Sequence, residues 1–427
     1  MIAETYKWQF MHSIHSRSPT SSLRSLLLFS YTFALLILFF SVADQALGHA
    51  GKLPTGATIL CLVSLTPFIF LLTLKHLRHS YVQGPITVFR QNATVLVPFS
   101  LVALLALILS ALPGAFWSEG AKWILLIPYG LCITASAAIM GRFSTTSSAV
   151  KLSALGSLLL LASSVWYDTL HPGTFAPITN RPAGFSGNAN FSSLVAVIVC
   201  AGAIDLGTPK GRVTPKANQT SVVLNLILLL LTFSTVCMTM SRSGLVVFLA
   251  LLGIAIYYRF FKSGLSRSRI ASEIVIICLA AVIALGFAVT FAQLSSSTQG
   301  KSRLVRLLNN QQVDDGSAGT RLDAVVEGIE LIEEAPLLGH GTGFSRTMSE
   351  LPHNIYLQQW INNGALGLIT YLGFLICSMV TFAKRGCRNG VALIIVAAVG
   401  GLFSHNILDQ RPFLLMLGVL LGGRNTS

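Results

Sequence analysis

Long apolar runs constrain this chain more than any other feature. Twelve of them, at 26–43, 57–74, 94–112, 123–140, 152–166, 192–204, 222–240, 244–258, 274–292, 365–383, 391–408 and 413–421, carry almost no charge. Most are long enough to cross a bilayer as helices; the sixth and twelfth are short. Hydrophobic residues make up 53% of the 427, charged ones only 10%, and mean hydropathy is +0.71, which excludes an ordinary soluble domain. No alternating ten-residue pattern marks a barrel. The expectation is an all-α integral membrane protein of about twelve spans, forming one membrane domain over 1–427 with a large hydrophilic loop at 295–354.

Lys and Arg placement orients the spans. With the N-terminus in the cytoplasm, the inside segments hold most of the 29 basic residues, among them Lys75, Arg78, Arg90, Arg259, Lys262, Lys384, Arg385 and Arg388. Both termini are then expected inside and the long loop outside. The +14 net charge is mostly this topological bias, so no nucleic-acid partner is needed to explain it. The first run has span length and no small-residue cleavage site, which predicts a retained span rather than a cleaved leader. Cys61, Cys132, Cys200, Cys237, Cys278 and Cys377 fall inside apolar runs and Cys387 in an inner connection. They read as packing residues, with no disulfide framework and no metal-ligand spacing.

Arginines on the outer side run against that bias, so each asks for a reason. Arg242 sits in Met240-Ser241-Arg242-Ser243-Gly244, between two apolar runs with almost no loop. An arginine at bilayer depth costs about 2.5–3.5 kcal/mol, less where it can snorkel to the interface. It is either an interfacial anchor or an anion ligand. Arg321 opens an expected loop helix with Thr320 as N-cap, Asp323 at the capping-box position and Pro336 as its limit. Leu322, Val325, Ile329 and Ile332 recur at helical spacing, predicting a face laid on the membrane interface or against other spans. Asp323, Glu327, Glu330 and Glu334 read as a solvated stripe. At a helix start an arginine does nothing for the dipole, which favours another task.

Pro336-Leu337-Leu338-Gly339-His340-Gly341-Thr342-Gly343 has glycines that permit tight turns and close approach of a ligand, or that simply end a helix. His340 is an alternative acid/base candidate or a turn residue. His353 is the strongest single candidate, because neutral imidazole accepts a proton near neutral pH. A continuous helix from His353 would put Gly364 about three turns on and Gly367 about four, letting a neighbouring helix approach that face. Arg181, Asn188 and Asn190 lie in a turn-rich approach to the sixth run, as phosphate or sugar ligands or as loop chemistry. Asp409 and Arg411 read as a pair in the last outer loop.

At these residues the chain resembles the O-antigen ligase family of bacterial inner-membrane glycosyltransferases. The likeness rests on His353-Asn354-x9-Gly364-x2-Gly367, Ser241-Arg242-Ser243-Gly244, Arg321, Pro336-Leu337-Leu338-Gly339-x-Gly341 and Asn188-Ala189-Asn190. It is best from about 180 to 367, and His340 departs from the family pattern. The resemblance implies a fold similar to GT-C membrane glycosyltransferases. It implies a glycan donor on undecaprenyl pyrophosphate, a lipid A-core acceptor, a periplasmic active site in the inner membrane, and no metal or other cofactor.

The chemistry suits the residues. A departing diphosphate gains negative charge, which guanidinium can grip in a forked geometry. Arg242 and Arg321 are therefore expected at the diphosphate and His353 at the acceptor hydroxyl. Arg181, Asn188, Asn190, Asn354, Gly339, His340 and Gly341 are expected to bind substrate. Direct attack predicts inversion. An O-antigen polymerase and a protein O-oligosaccharyltransferase share the pattern; the absence of an appended outer domain leans against the latter. A transporter also has many spans, but no inverted repeat or midplane ionisable cluster points to one.

Overall fold

The computed structural model describes residues 36–37, 41–43, 90–115, 130, 134, 144–176, 181–206, 217–258, 282, 286 and 316–422. Among them are helices and short 3-10 turns and no strand. In chain order the helices are α1 (Ala93–Leu109), α2 (Ser144–Leu170), α3 (Ala189–Ala203), α4 (Ala217–Met238), α5 (Arg242–Tyr257), α6 (Gly316–Glu334), α7 (Ile355–Lys384), α8 (Arg388–Gly401) and α9 (Arg411–Gly422). Apart from α6, each coincides with an expected apolar run. The runs at 26–43, 57–74, 123–140 and 274–292 lie outside the described residues except for isolated positions.

Ala149–Leu170 and Ile355–Lys384 are long and apolar enough to cross a membrane; the other apolar helices are shorter. The protein is a helical membrane protein, and its surface explains why. Leu101, Leu104 and Ile108 on α1, Leu245, Val246 and Leu249 on α5, and Leu366, Ile369 and Ile376 on α7 all face outward. An apolar belt of that extent is unfavourable in water, while lipid tails cover it at no cost.

Helix α3 is the centre of the bundle. It packs against α2, α4, α5, α8 and α9, and every residue from Ser192 to Ala203 is buried. Small side chains make this possible. A Cβ at Gly202 would meet the Met416 side chain of α9, and one at Gly244 of α5 would meet Ser193 of α3. Pairing along the bundle alternates in direction. Asn225, early in α4, exchanges hydrogen bonds with Asp205 just after α3, both at 2.8 Å. At the other end Ser241, just after α4, bonds Asn190 at the start of α3.

One end of the bundle is pinned by Arg385, Arg388 and Asn389. Arg385 donates to Asn92 Oδ1 at 2.8 Å and to the Leu421 carbonyl at 3.1 Å, and Arg388 donates to the Leu206 carbonyl at 2.9 Å. The opposite end gathers the N-termini of α3, α5, α7 and α9 with the C-termini of α1, α2, α4 and α8. All the candidate site residues lie there.

Several helix boundaries differ from the expected runs, among them the start of α2 at Ser144 and the end of α8 at Gly401, and two of them bear on the site. Helix α6 starts at Gly316, not at Thr320, so Arg321 lies inside the helix rather than in its first turn. Asp314 and Asp315 immediately precede it in the sequence, where negative charge favours a helix start. Helix α7 begins ten residues before the apolar run and is not continuous: Gly364 has φ 64 and ψ −167. Its first turns carry Gln358, Gln359, Asn362 and Asn363, which hydropathy reads as non-spanning.

Candidate active site

The segment after α6 docks into the break in α7. The amide of His340 donates to the Ile361 carbonyl at 3.0 Å and that of Gly341 to the Asn362 carbonyl at 2.9 Å. In return the Ala365 amide donates to the Pro336 carbonyl at 2.9 Å. Backbones this close leave no space for a Cβ. One at Gly364 would strike Leu337 main chain, and one at Gly339, itself at φ +69, would strike Asn362 and Gly364 main chain. The expected packing of a neighbouring helix against Gly364 and Gly367 is therefore corrected. Gly364 admits the loop, and a Cβ at Gly367 would meet Asn363 and Gln359 across the helix's own kink. Gly341 at φ +108 lies against Ala115 of the turn after α1.

His340 belongs to this joint. Its Nε2 lies 2.7 Å from the Leu331 carbonyl in the last turn of α6, and its ring stacks on Phe344 with centroids 4.5 Å apart. A carbonyl only accepts, so Nε2 carries the proton. This is a favourable cap for a helix C-terminus.

Helix α6 meets α7 through its small residues. Ala324 and Gly328 are buried, with Leu357 and Ile361 filling the space beside Gly328. Leu322, Val325 and Ile329 remain exposed, so they do not pack against other helices. Of the acidic stripe, Glu327 has a specific partner: the Ser349 hydroxyl donates to Oε2 at 2.7 Å and its amide to Oε1 at 3.4 Å. Ser345 N–H donates to Asn362 Oδ1 at 2.8 Å. The strap leading to His353 is thereby tied to both α6 and α7.

His353 is exposed at the end of this strap. The next residue, Asn354, caps α7, its Oδ1 accepting from the amides of Tyr356 at 2.9 Å and Leu357 at 3.2 Å. Partial burial, and secondly the charge of Arg321, lower the His353 pKa from its usual 6.5, with Glu350 opposing. At neutral pH the imidazole is therefore neutral and able to accept a proton. Arg321 and His353 are brought together across α6 and α7.

Arg242 opens α5 on the same end of the bundle and is exposed. A relay of packed residues connects the start of α5 to the start of α7. Gly244 abuts Ser193, its neighbour Leu194 abuts Gly400, and Gly401 abuts Ile355 and Tyr356. Arg181 and Asn190 are engaged with the Arg242 turn. Arg181 donates from Nη1 to the Met240 carbonyl at 3.0 Å and from Nη2 to Asn190 Oδ1 at 3.1 Å. Asn188 caps α3 through bonds from the amides of Asn190 and Phe191. The start of α9, where Arg411 stands, lies on this end too.

His405 was not singled out from the sequence. Its ring lies 5.6 Å from that of His353, and it lines a cavity of about 30 Å³ with Thr342, Arg346, Gln358, Gln359 and Asn362. That is room for a water or two, not a sugar ring. The one signal available was the repeat of the dipeptide His353-Asn354 as His405-Asn406, fifty-two residues on. Among the described residues, no three His, Cys, Asp or Glu side chains gather as a metal site.

Fold and site define a class: a helical membrane protein whose cations, imidazoles and helix N-termini converge on one end. The family model described as O-antigen ligase matches residues 227–372, so this part of the chain is similar to the O-antigen ligase family. The match takes in Arg242, Arg321, the Pro336–Gly341 segment, His353, Gly364 and Gly367. No curated protein matches the chain. That likeness supports a glycan-transfer role of ligase or polymerase type, and implies a lipid-linked glycan and a lipid acceptor in general terms.

Proposed function

We propose that the protein is an O-antigen ligase. It moves a glycan from undecaprenyl pyrophosphate to a sugar hydroxyl of lipid A-core at the periplasmic face of the inner membrane. What supports this reading is the placement of His353, its pKa lowered by partial burial and by the charge of Arg321, inside the segment that matches the family.

His353 takes the proton of the acceptor hydroxyl while the acceptor oxygen attacks the anomeric carbon. The bond from that carbon to the diphosphate oxygen breaks, and the leaving diphosphate carries the electron pair. Arg242 and Arg321 stabilise the developing charge, aided by the helix N-termini on this end. General-base catalysis contributes roughly 10²–10⁴-fold and a lost charge-stabilising donor costs about 10²–10³-fold. The reaction inverts and needs no metal, since guanidinium groups supply the positive charge. Asn354, Gly339, His340 and Gly341 shape the site from beneath, and Asn188 does so at the start of α3. The polyprenyl tail lies along the apolar outer surface below α6.

The test is complementation of a ligase-deletion strain, read on lipopolysaccharide gels, with Arg242, Arg321 or His353 replaced by Ala. Wild-type protein restores the ladder, and the variants lose it with core retained. Wild-type attachment by every well-expressed variant refutes the site. If loss of the protein instead leaves core bearing one repeat, the enzyme is a polymerase.

A further inference from the structure

The turn that carries Arg242 is held in an unfavourable conformation by a device that contains no catalytic group. Met240 has φ +50, a left-handed conformation that a side chain with a Cβ resists and that persists only where the surroundings hold it. The Nη1 bond from Arg181 to the Met240 carbonyl holds it directly. Asn190 Oδ1 accepts both from Arg181 Nη2 and, at 3.0 Å, from the Ser241 hydroxyl. Ser241 in turn caps α5, accepting from the Gly244 amide at 3.0 Å. Arg242 follows at once.

Arg181 itself stands on a built support. The buried Asp168 carboxylate accepts from the amides of Ala183 at 2.8 Å, Gly184 at 3.3 Å and Phe175 at 3.1 Å. This fixes the loop from α2 into α3 to the end of α2. The forked guanidinium thus ties its own loop to the Met240 turn and to the start of α3, donating one N–H to each of these two partners.

We infer that Arg181 and Asn190 are positioning residues, a latch that keeps the Met240 turn left-handed and so aims Arg242 at the anionic leaving group. The inference rests on the reading of Arg242 as the diphosphate ligand. It also separates two arginines of equal charge: Arg242 meets substrate, and Arg181 acts through it.

The experiment is a double-mutant cycle on purified protein, with a lipid-linked glycan donor and a lipid acceptor, and kcat and KM measured separately. Arg181→Ala is expected to lower kcat about 10- to 100-fold, the effect of an ångström-scale misplacement. Asn190→Ala is expected to do the same more weakly. Arg181→Ala placed on Arg242→Ala is expected to add nothing, because the group being aimed is gone. Arg181→Lys, which keeps the charge but loses the fork, is expected to stay impaired. Full additivity, or rescue by Lys, makes Arg181 a substrate ligand and overturns the latch. So does a normal kcat for Arg181→Ala beside an inactive Arg242→Ala.

Thermal unfolding provides an independent reading. Arg181→Ala lowers Tm, and adding Met240→Gly, which relieves the left-handed cost, recovers part of it. No recovery overturns the latch. An active Arg242→Ala together with that recovery sinks the diphosphate reading and leaves the latch standing.

Discussion

Gly339 and Gly364 meet main chain to main chain, where the loop after α6 enters the break in α7. Both have positive φ, +69 and +64, so each is required for its conformation and for the space it leaves. The strap bearing His353 hangs between this joint and the start of α7. The joint therefore determines where the imidazole stands relative to Arg321.

Gly364→Ala is expected to destabilise the protein by about 1–3 kcal/mol from the left-handed backbone alone, before the clash with Leu337 is counted. Gly339→Ala behaves alike, and the double variant falls short of the sum because one joint is broken once. Gly373→Ala, on the same helix with open space around its Cβ position, is the control and is expected to be neutral or slightly stabilising. Thermal unfolding in detergent, with transfer measured on the same samples, checks all four.

The pH profile follows from His353. Its folded pKa lies below 6.5, so the neutral base persists at neutral pH and activity falls only on the acid side, as pH drops through the folded value. Removing Arg321 takes away a lowering influence, so the acid limb of Arg321→Gln moves to higher pH, beside a loss of rate of about 10²–10³-fold. Glu350→Gln removes the opposing influence and moves the limb to lower pH. Profiles of kcat/KM for the three proteins decide this; limbs that do not move in these directions remove His353 from the role of base.

Glu327 ties the strap to α6 through Ser349. Glu327→Ala is expected to loosen residues 344–353, raising their amide exchange. The rate is expected to drop about tenfold, in line with misplacement of a group rather than its loss. Ser349→Ala removes only the hydroxyl bond and is expected to have the smaller effect.

His405 supports the ring of His353 from the 402–410 turn. An aromatic pair of this kind contributes about 0.5–1.5 kcal/mol, so His405→Ala is expected to slow transfer about 2- to 12-fold. His405→Phe, which keeps a ring without its nitrogens, is expected to stay within threefold of wild type. A Phe variant as slow as the Ala variant would show that the nitrogens matter.

Much of the fold was legible in the sequence because apolar length is a local property. Helices α1 to α5 and α7 to α9 each fall on a run visible by eye, and the residues between 227 and 372 carry a recognisable family pattern. Helix α7 shows the limit. Its polar first turns, Gln358 to Asn363, hid ten residues of helix from a hydropathy reading, and Gly364 looked like a packing glycine because a single chain cannot show what enters a break. Leu322, Val325 and Ile329 formed a clear stripe, yet Ala324 and Gly328 make the contact, because close approach selects small side chains rather than large apolar ones.

The sequence by itself determined the solvent this protein lives in, the order of its helices, and the identity of Arg242, Arg321 and His353 as side chains needing an explanation. Tertiary structure alone decided which partner each polar group takes. Arg181 reaches Met240 across 59 positions, Ser349 finds Glu327 across 22, and His405 comes beside His353 from another loop. Hydropathy and periodicity sum over neighbours in the chain. A hydrogen bond depends on distances of about 3 Å and on angles, which only the packed helices impose.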